Sequence, residues 1–93
     1  MTKRVNELLP GTVVSHFKRG FLKKAELAAE PNMYLYEIIG VAQETESGEQ
    51  LMIYRALYGN TGMYARPLDM FLSTVDKAKY PNSVQKYRFE KIG

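Results

Sequence analysis

Cysteine and tryptophan are absent from this 93-residue sequence, and histidine occurs once, at position 16. Without cysteine there is no disulfide framework, no thiol nucleophile and no zinc site that depends on thiolates. With one imidazole no histidine pair can hold a metal, and any Ser-His-Asp arrangement would rest on His16 with Asp69 or Asp76, the only aspartates. Long apolar runs are missing as well. No segment approaches the ~18 apolar residues that cross a bilayer. The opening MTKRVNELLPG has basic residues but no following apolar stretch of the length a secretory signal needs. A cytoplasmic protein without a membrane partner is the expectation.

The residues present make up 45% hydrophobic and 25% charged positions, the composition of an ordinary globular chain, and the length suits a single domain over 1–93 with one core. So short a chain buries a modest fraction of its surface, leaving few buried residues for chemistry. A net charge of +3 permits an anionic partner without requiring one, since dedicated nucleic-acid binders carry a denser cationic stripe.

Lys3 to Leu9 suits one helical turn or a frayed arm, broken by Pro10-Gly11, and Thr12 to Phe17 favours a first strand. From Gly20 to Pro31 the composition turns to Leu, Lys, Ala and Glu, with Phe21, Ala25 and Ala29 at helical spacing. This predicts a short helix or ordered loop inside a flexible or helical insertion at 20–33, ended by Pro31. Met33 to Ala42 and Gln50 to Tyr58 are strong strands joined by the polar turn ETESGE. GNTG (Gly59 to Gly62) offers two glycines and an asparagine for positive φ angles and leads into Met63 to Arg66, completing a three-stranded meander. Pro67 suits either an edge position or the first residue of a helix, and Leu68, Met70, Phe71 and Leu72 with Val75 predict a short buried helix or coil. Val84 to Ile92 alternates as a last, half-exposed strand. Five strands in so short a chain must twist to bury one face. The expected fold is mainly β, a small strongly curled antiparallel sheet or partly open SH3-like barrel with one or two short helices.

Three blocks, PGTVVSHFKR (Pro10 to Arg19), YEIIGVAQETESGE (Tyr36 to Glu49) and YRALYGNTGMYARPLDMF (Tyr54 to Phe71), together with YRF at Tyr87 to Phe89, resemble the family called domain of unknown function 1653. The resemblance covers most of the chain, and LYG with RP and MF at this spacing is its most specific part. It implies a small β-rich protein of a mainly bacterial family with no assigned activity. Two departures stand out. Gly20 to Met33 intervenes where such proteins pass almost directly from the HFK block into the next strand, and Tyr64 stands where many have a tryptophan, which keeps an aromatic there.

Aromatic residues interleaved with Arg55, Arg66 and Arg88 are the most informative feature. Alternation places Tyr54 and Tyr58 on one face of their strand with Met52 and Ala56, and Leu51, Ile53 and Leu57 on the other; the aliphatic side is the natural core, although it turns Arg55 inward. Two readings of the tyrosines stay open. They can pack a core with their hydroxyls at its edge, or Tyr54, Tyr58, Tyr64, Arg66 and His16 can line a cleft where rings stack a planar ligand and Arg66 binds its anionic or carbonyl group. A second patch, Lys18, Arg19, Lys23 and Lys24 with Phe17 and Phe21, mixes cations and rings as nucleic-acid surfaces do, against the plainer reading of solvated lysines. His16 at a strand end reads first as a structural residue, and Glu44, Glu46 and Glu49 as solvated turn charges, so neither a metal nor a cofactor is expected. The leading expectation is a binding module for a nucleotide, modified base or single-stranded nucleic acid. A peptide or protein interaction module of unknown oligomeric state is the alternative. An enzyme using His16 is a third possibility, weakened because no activator for a nucleophile is apparent.

Overall fold

A computed structural model describes residues 7–92, so most of the helical turn expected from Lys3 lies outside the described residues. Five strands form one antiparallel sheet: β1 Val13–His16, β2 Leu35–Gln43, β3 Gln50–Ala56, β4 Met63–Pro67 and β5 Phe89–Lys91. Their order across the sheet is β4-β3-β2-β1-β5, and the sheet is not closed. A 3₁₀ turn at Phe17–Phe21 and helix α1 at Lys24–Ala29 connect β1 to β2, and helix α2, Leu68–Phe71, follows β4 directly. Among the described residues no helix is long and apolar enough to cross a membrane.

The expected meander is present as β2-β3-β4. Its first turn is built by Glu44, whose carboxylate accepts the Glu46 and Ser47 amides at 3.1 and 2.7 Å, while Gly48 takes a φ of +74° that suits a residue without Cβ. Those amide bonds hold the Glu44 carboxyl below its usual range. In the second turn Gly59 adopts positive φ as GNTG suggested, while Asn60 and Gly62 do not and Thr61 does; Thr61, at φ +52°, is a β-branched residue in a costly conformation.

The core lies on the side of β3 opposite to the one its aliphatic residues suggested. Met52, Tyr54 and Ala56 are buried, whereas Leu51 and Ile53 are half-buried on the outer face. Arg55 explains the reversal: it sits across from Glu37 in the β2–β3 register and forms an ion pair with it on the outer face. A guanidinium turned inward would have needed a buried partner. On the inner face Val14, Tyr36, Ile38, Met52, Tyr54 and Phe89 pack beneath Phe71 and Leu72 of the α2 region, with Leu8 completing the cluster. A bulge at Ile39, where Ile38 and Gly40 oppose the consecutive Tyr54 and Ile53, adds twist and leaves Val41 exposed beyond it.

The last strand is much shorter than its alternating sequence predicts. Residues 83–88 are held by side chains. Gln85 Oε1 accepts the Ser15 hydroxyl at 2.6 Å, its Nε2 donates to the Ser15 and Tyr87 carbonyls, and Glu90 accepts the Lys86 and Tyr87 amides at 3.0 Å. Val75 and Arg88 donate backbone bonds to Lys86 and Ser73, so this stretch pairs with the chain after α2 before joining β1.

Phe89 and Phe71 are stacked, with ring centroids 4.1 Å apart and an interplanar angle of 7°. Phe89→Ala should lower the unfolding free energy by about 3–5 kcal/mol in urea titrations, as deletion of a fully buried ring does; a loss below about 1 kcal/mol would contradict its place in the core. Thr61→Asn should raise stability by about 0.5 kcal/mol in the same assay, because asparagine tolerates the left-handed region.

Candidate functional site

The end of β1 gathers three segments. The His16 amide donates to the Tyr34 carbonyl at 2.9 Å and the Phe17 amide to the Arg88 carbonyl at 2.9 Å, so Tyr34 and Arg88 are fixed on either side of His16. The imidazole is buried, packed against Phe17 and edge-on to Phe89. Its Nδ1 accepts the Lys18 amide at 3.1 Å, which leaves the ring proton on Nε2 in the neutral form. From the far edge of the sheet, Arg66 of β4 reaches over the Phe89 ring, 5.7 Å from its centroid, and its Nε donates to the Tyr54 hydroxyl at 3.1 Å. Arg88 Nε donates to the Ser73 hydroxyl at 3.2 Å.

These groups border a cavity of about 320 Å³ lined by His16, Lys18, Arg66, Asp76, Lys79 and Arg88 with Phe17, Val75 and Tyr80. Four cations face it against one carboxylate. One oxygen of that carboxylate is engaged locally, Asp76 Oδ1 accepting the Ala78 and Lys79 amides at 3.0 and 3.3 Å. Burial, then the charges of Arg66, Arg88 and Lys18, lower the His16 pKa to about 4, so the imidazole is a neutral donor at pH 7. Among the described residues the one ion pair is Glu37–Arg55, on the outer face. Both cavity arginines are therefore anchored through Nε to neutral hydroxyls, with their terminal nitrogens free of carboxylates. A second hollow of about 510 Å³ adjoins the first and shares Lys18, Lys79 and Tyr80 with it.

Of the residues singled out from the sequence, His16, Arg66 and Lys18 converge on the smaller cavity, and the three tyrosines do not line it. Tyr54 is buried in the core and supports Arg66 from below. Tyr58 is partly buried, its hydroxyl 2.6 Å from that of Tyr36, whose own pKa is raised by burial first and by this hydrogen bond second. Tyr64 is half-exposed on β4 with its ring 5.9 Å from that of Tyr54. Of the basic patch, Lys18 alone is among the residues lining this cavity. Arg19 donates to the Met33 carbonyl at 2.8 Å, and Lys23 and Lys24 sit at the start of α1, apart from the cavity lining. Sequence reasoning passed over Lys79 and Tyr80, which fall in a polar stretch with no motif, whereas Arg88, singled out among the interleaved arginines, and Asp76, considered only as a triad aspartate, also line the cavity. Among the described residues no group of three His, Cys, Asp or Glu side chains is placed to hold a metal ion.

A model of the family DUF1653, described as a protein of unknown function, matches residues 12–91. No curated protein and no solved structure matches the chain.

The buried imidazole makes stability depend on pH in a definite direction. Between its native value near 4 and the ordinary value of 6.5, the unfolded chain binds a proton that the native state refuses, so this contribution is fully present above pH 6.5 and is lost as pH falls towards 4. Thermal melts of His16→Gln should therefore fall less steeply between pH 7 and about 4.5 than those of the unaltered protein; equal slopes would show that His16 does not carry the dependence.

Proposed function

The chain belongs to the DUF1653 family, which carries no assigned activity, and from the geometry of its site we propose that it is a binding module for a phosphate-bearing ligand of the nucleotide class. The observation that carries this reading is the pair of guanidiniums, Arg66 and Arg88, bordering one cavity with His16 between β1 and the chain after α2, each held by a neutral hydroxyl. A guanidinium needs a carboxylate or phosphate to use its paired donors. Among the described residues neither guanidinium is ion-paired, although the carboxylate of Asp76 lines the same cavity, and this supports an anion from outside. Lys18 and Lys79 add charge without directional demands, and the neutral His16 supplies one further N–H.

The leading expectation from the sequence thus keeps its ligand class and changes its location. The anion is received at the mouth of the concave face, not by a row of tyrosines on the sheet, and Tyr54 acts as the support for Arg66. Binding needs no catalytic group, and the neutral imidazole is already engaged through Nδ1, so the reading is of a binding protein and not of a hydrolase built on His16.

Charge-assisted hydrogen bonds contribute about 1.5–3 kcal/mol each. Arg66→Gln and Arg88→Gln should each weaken binding of nucleoside phosphates and labelled single-stranded DNA or RNA by roughly 10-fold or more, while Lys23→Ala and Lys24→Ala change it less than about 2-fold. Affinity should fall as salt rises. Calorimetry and fluorescence anisotropy at two salt concentrations test this, with thermal melts confirming that the variants fold; no binding of any phosphate-bearing probe at low salt would overturn the proposal. A bound anion offsets the cationic field on His16, so its imidazole pKa, followed by NMR, should rise on binding.

A further inference from the structure

The hollow beside the cationic cavity has a different chemistry. Phe21, Leu22, Tyr34, Tyr80 and Pro81 give it apolar and aromatic walls, and Glu26 stands on its border. Phe21 is 44% exposed, so its ring is open to a ligand, and it lies near Tyr80 at a centroid distance of 6.2 Å with an interplanar angle of 30°. Tyr34 holds its place in the wall with a φ of +65°, a left-handed conformation that an aromatic residue adopts only at a cost, and its backbone carbonyl is tied to His16. The hollow shares Lys18, Lys79 and Tyr80 with the cavity, and the two volumes together are of the size small-molecule sites occupy.

Resting on the phosphate-binding reading above, we infer that this groove is the ring subsite of the same ligand, and that the ligand is a nucleoside 5′-monophosphate, free or as the phosphorylated end of a strand, rather than an internal phosphodiester. The charge supports the monoester. Four cations against a single carboxylate match a group carrying close to two negative charges, where a phosphodiester carries one. Glu26 sets the direction. One of its oxygens caps α1 by accepting the Lys23 amide at 2.8 Å, and its charge repels a phosphate from the groove end while accepting ring N–H or amino donors there. The base then lies against Phe21 and Tyr80, and the phosphate against Arg66 and Arg88.

The test compares AMP and GMP with ribose 5-phosphate and adenosine by calorimetry, on the unaltered full chain and on Phe21→Ala and Leu22→Asn. Both substitutions sit at exposed or half-exposed positions of the groove wall and leave the cationic cavity intact. The nucleotides should bind about 10-fold or more tightly than ribose 5-phosphate, the size of effect that base stacking on aromatic rings gives. Each substitution should remove that advantage while ribose 5-phosphate affinity stays within about 2-fold. Equal affinity for nucleotides and ribose 5-phosphate in the unaltered protein would overturn the ring subsite and leave the phosphate reading standing; binding of none of the phosphates would overturn both. A 5′-phosphorylated oligonucleotide compared with its 5′-hydroxyl twin separates the sources. Preference for the phosphorylated strand over AMP identifies a strand end and the reverse a free nucleotide, whereas equal binding of the twins without binding of AMP would overturn the monoester assignment.

Discussion

The ring of Phe89 is the contact on which both the core and the site depend. It stacks on Phe71, meets Tyr36, Tyr54 and His16 edge to face or at a steep tilt, and lies beneath the guanidinium of Arg66. Phe89 belongs to one edge strand and Arg66 to the other, four strands away in the sheet order. An open sheet brings its two edges that close only if it curls strongly. Burial of this ring, with its aromatic neighbours, is the driving force for the curl. Remove the ring and the sheet loses the reason to bend, and Arg66 loses its floor.

The same packing decides the electrostatics. Curling carries Arg66, Arg88, Lys18 and Lys79 towards one another around a buried imidazole, a repulsive arrangement in the absence of a ligand. The fold tolerates it by keeping His16 neutral and by supporting the guanidiniums with hydroxyls. Under the proposed function a bound anion would relieve this like-charge crowding, and the stability of the fold would then rise with ligand concentration.

Several elements were legible because local rules decide them. The meander follows from two β-rich runs separated by turns, and the end of α1 from Pro31 two residues beyond it. The inner face of β3 was misread because alternation defines two faces and does not say which is inside; Leu51 and Ile53 argued for one, and the cross-strand position of Glu37 opposite Arg55 settled the other. The length of β5 was misread for a related reason. Val84 to Ile92 alternates well, yet Gln85 and Glu90 satisfy its backbone through side chains that no periodicity reveals. In the site, His16 and Arg66 stood out by rarity and by their aromatic neighbours. Lys79 and Tyr80 did not, because they matter only where the chain after α2 crosses the end of β1.

By itself the sequence determined a mainly β fold, its strand order along the chain, its family, and the exclusion of thiolate and paired-histidine chemistry. Those are matters of composition and of neighbours close in the chain. Only the tertiary structure decided which side of the sheet is the core, that Tyr54 lies in that core and bonds to Arg66, and that cations from residues 18, 66, 79 and 88 meet at one cavity. Such meetings depend on how far the sheet curls, and the curl is set by rings from distant segments packing together, which no local pattern encodes.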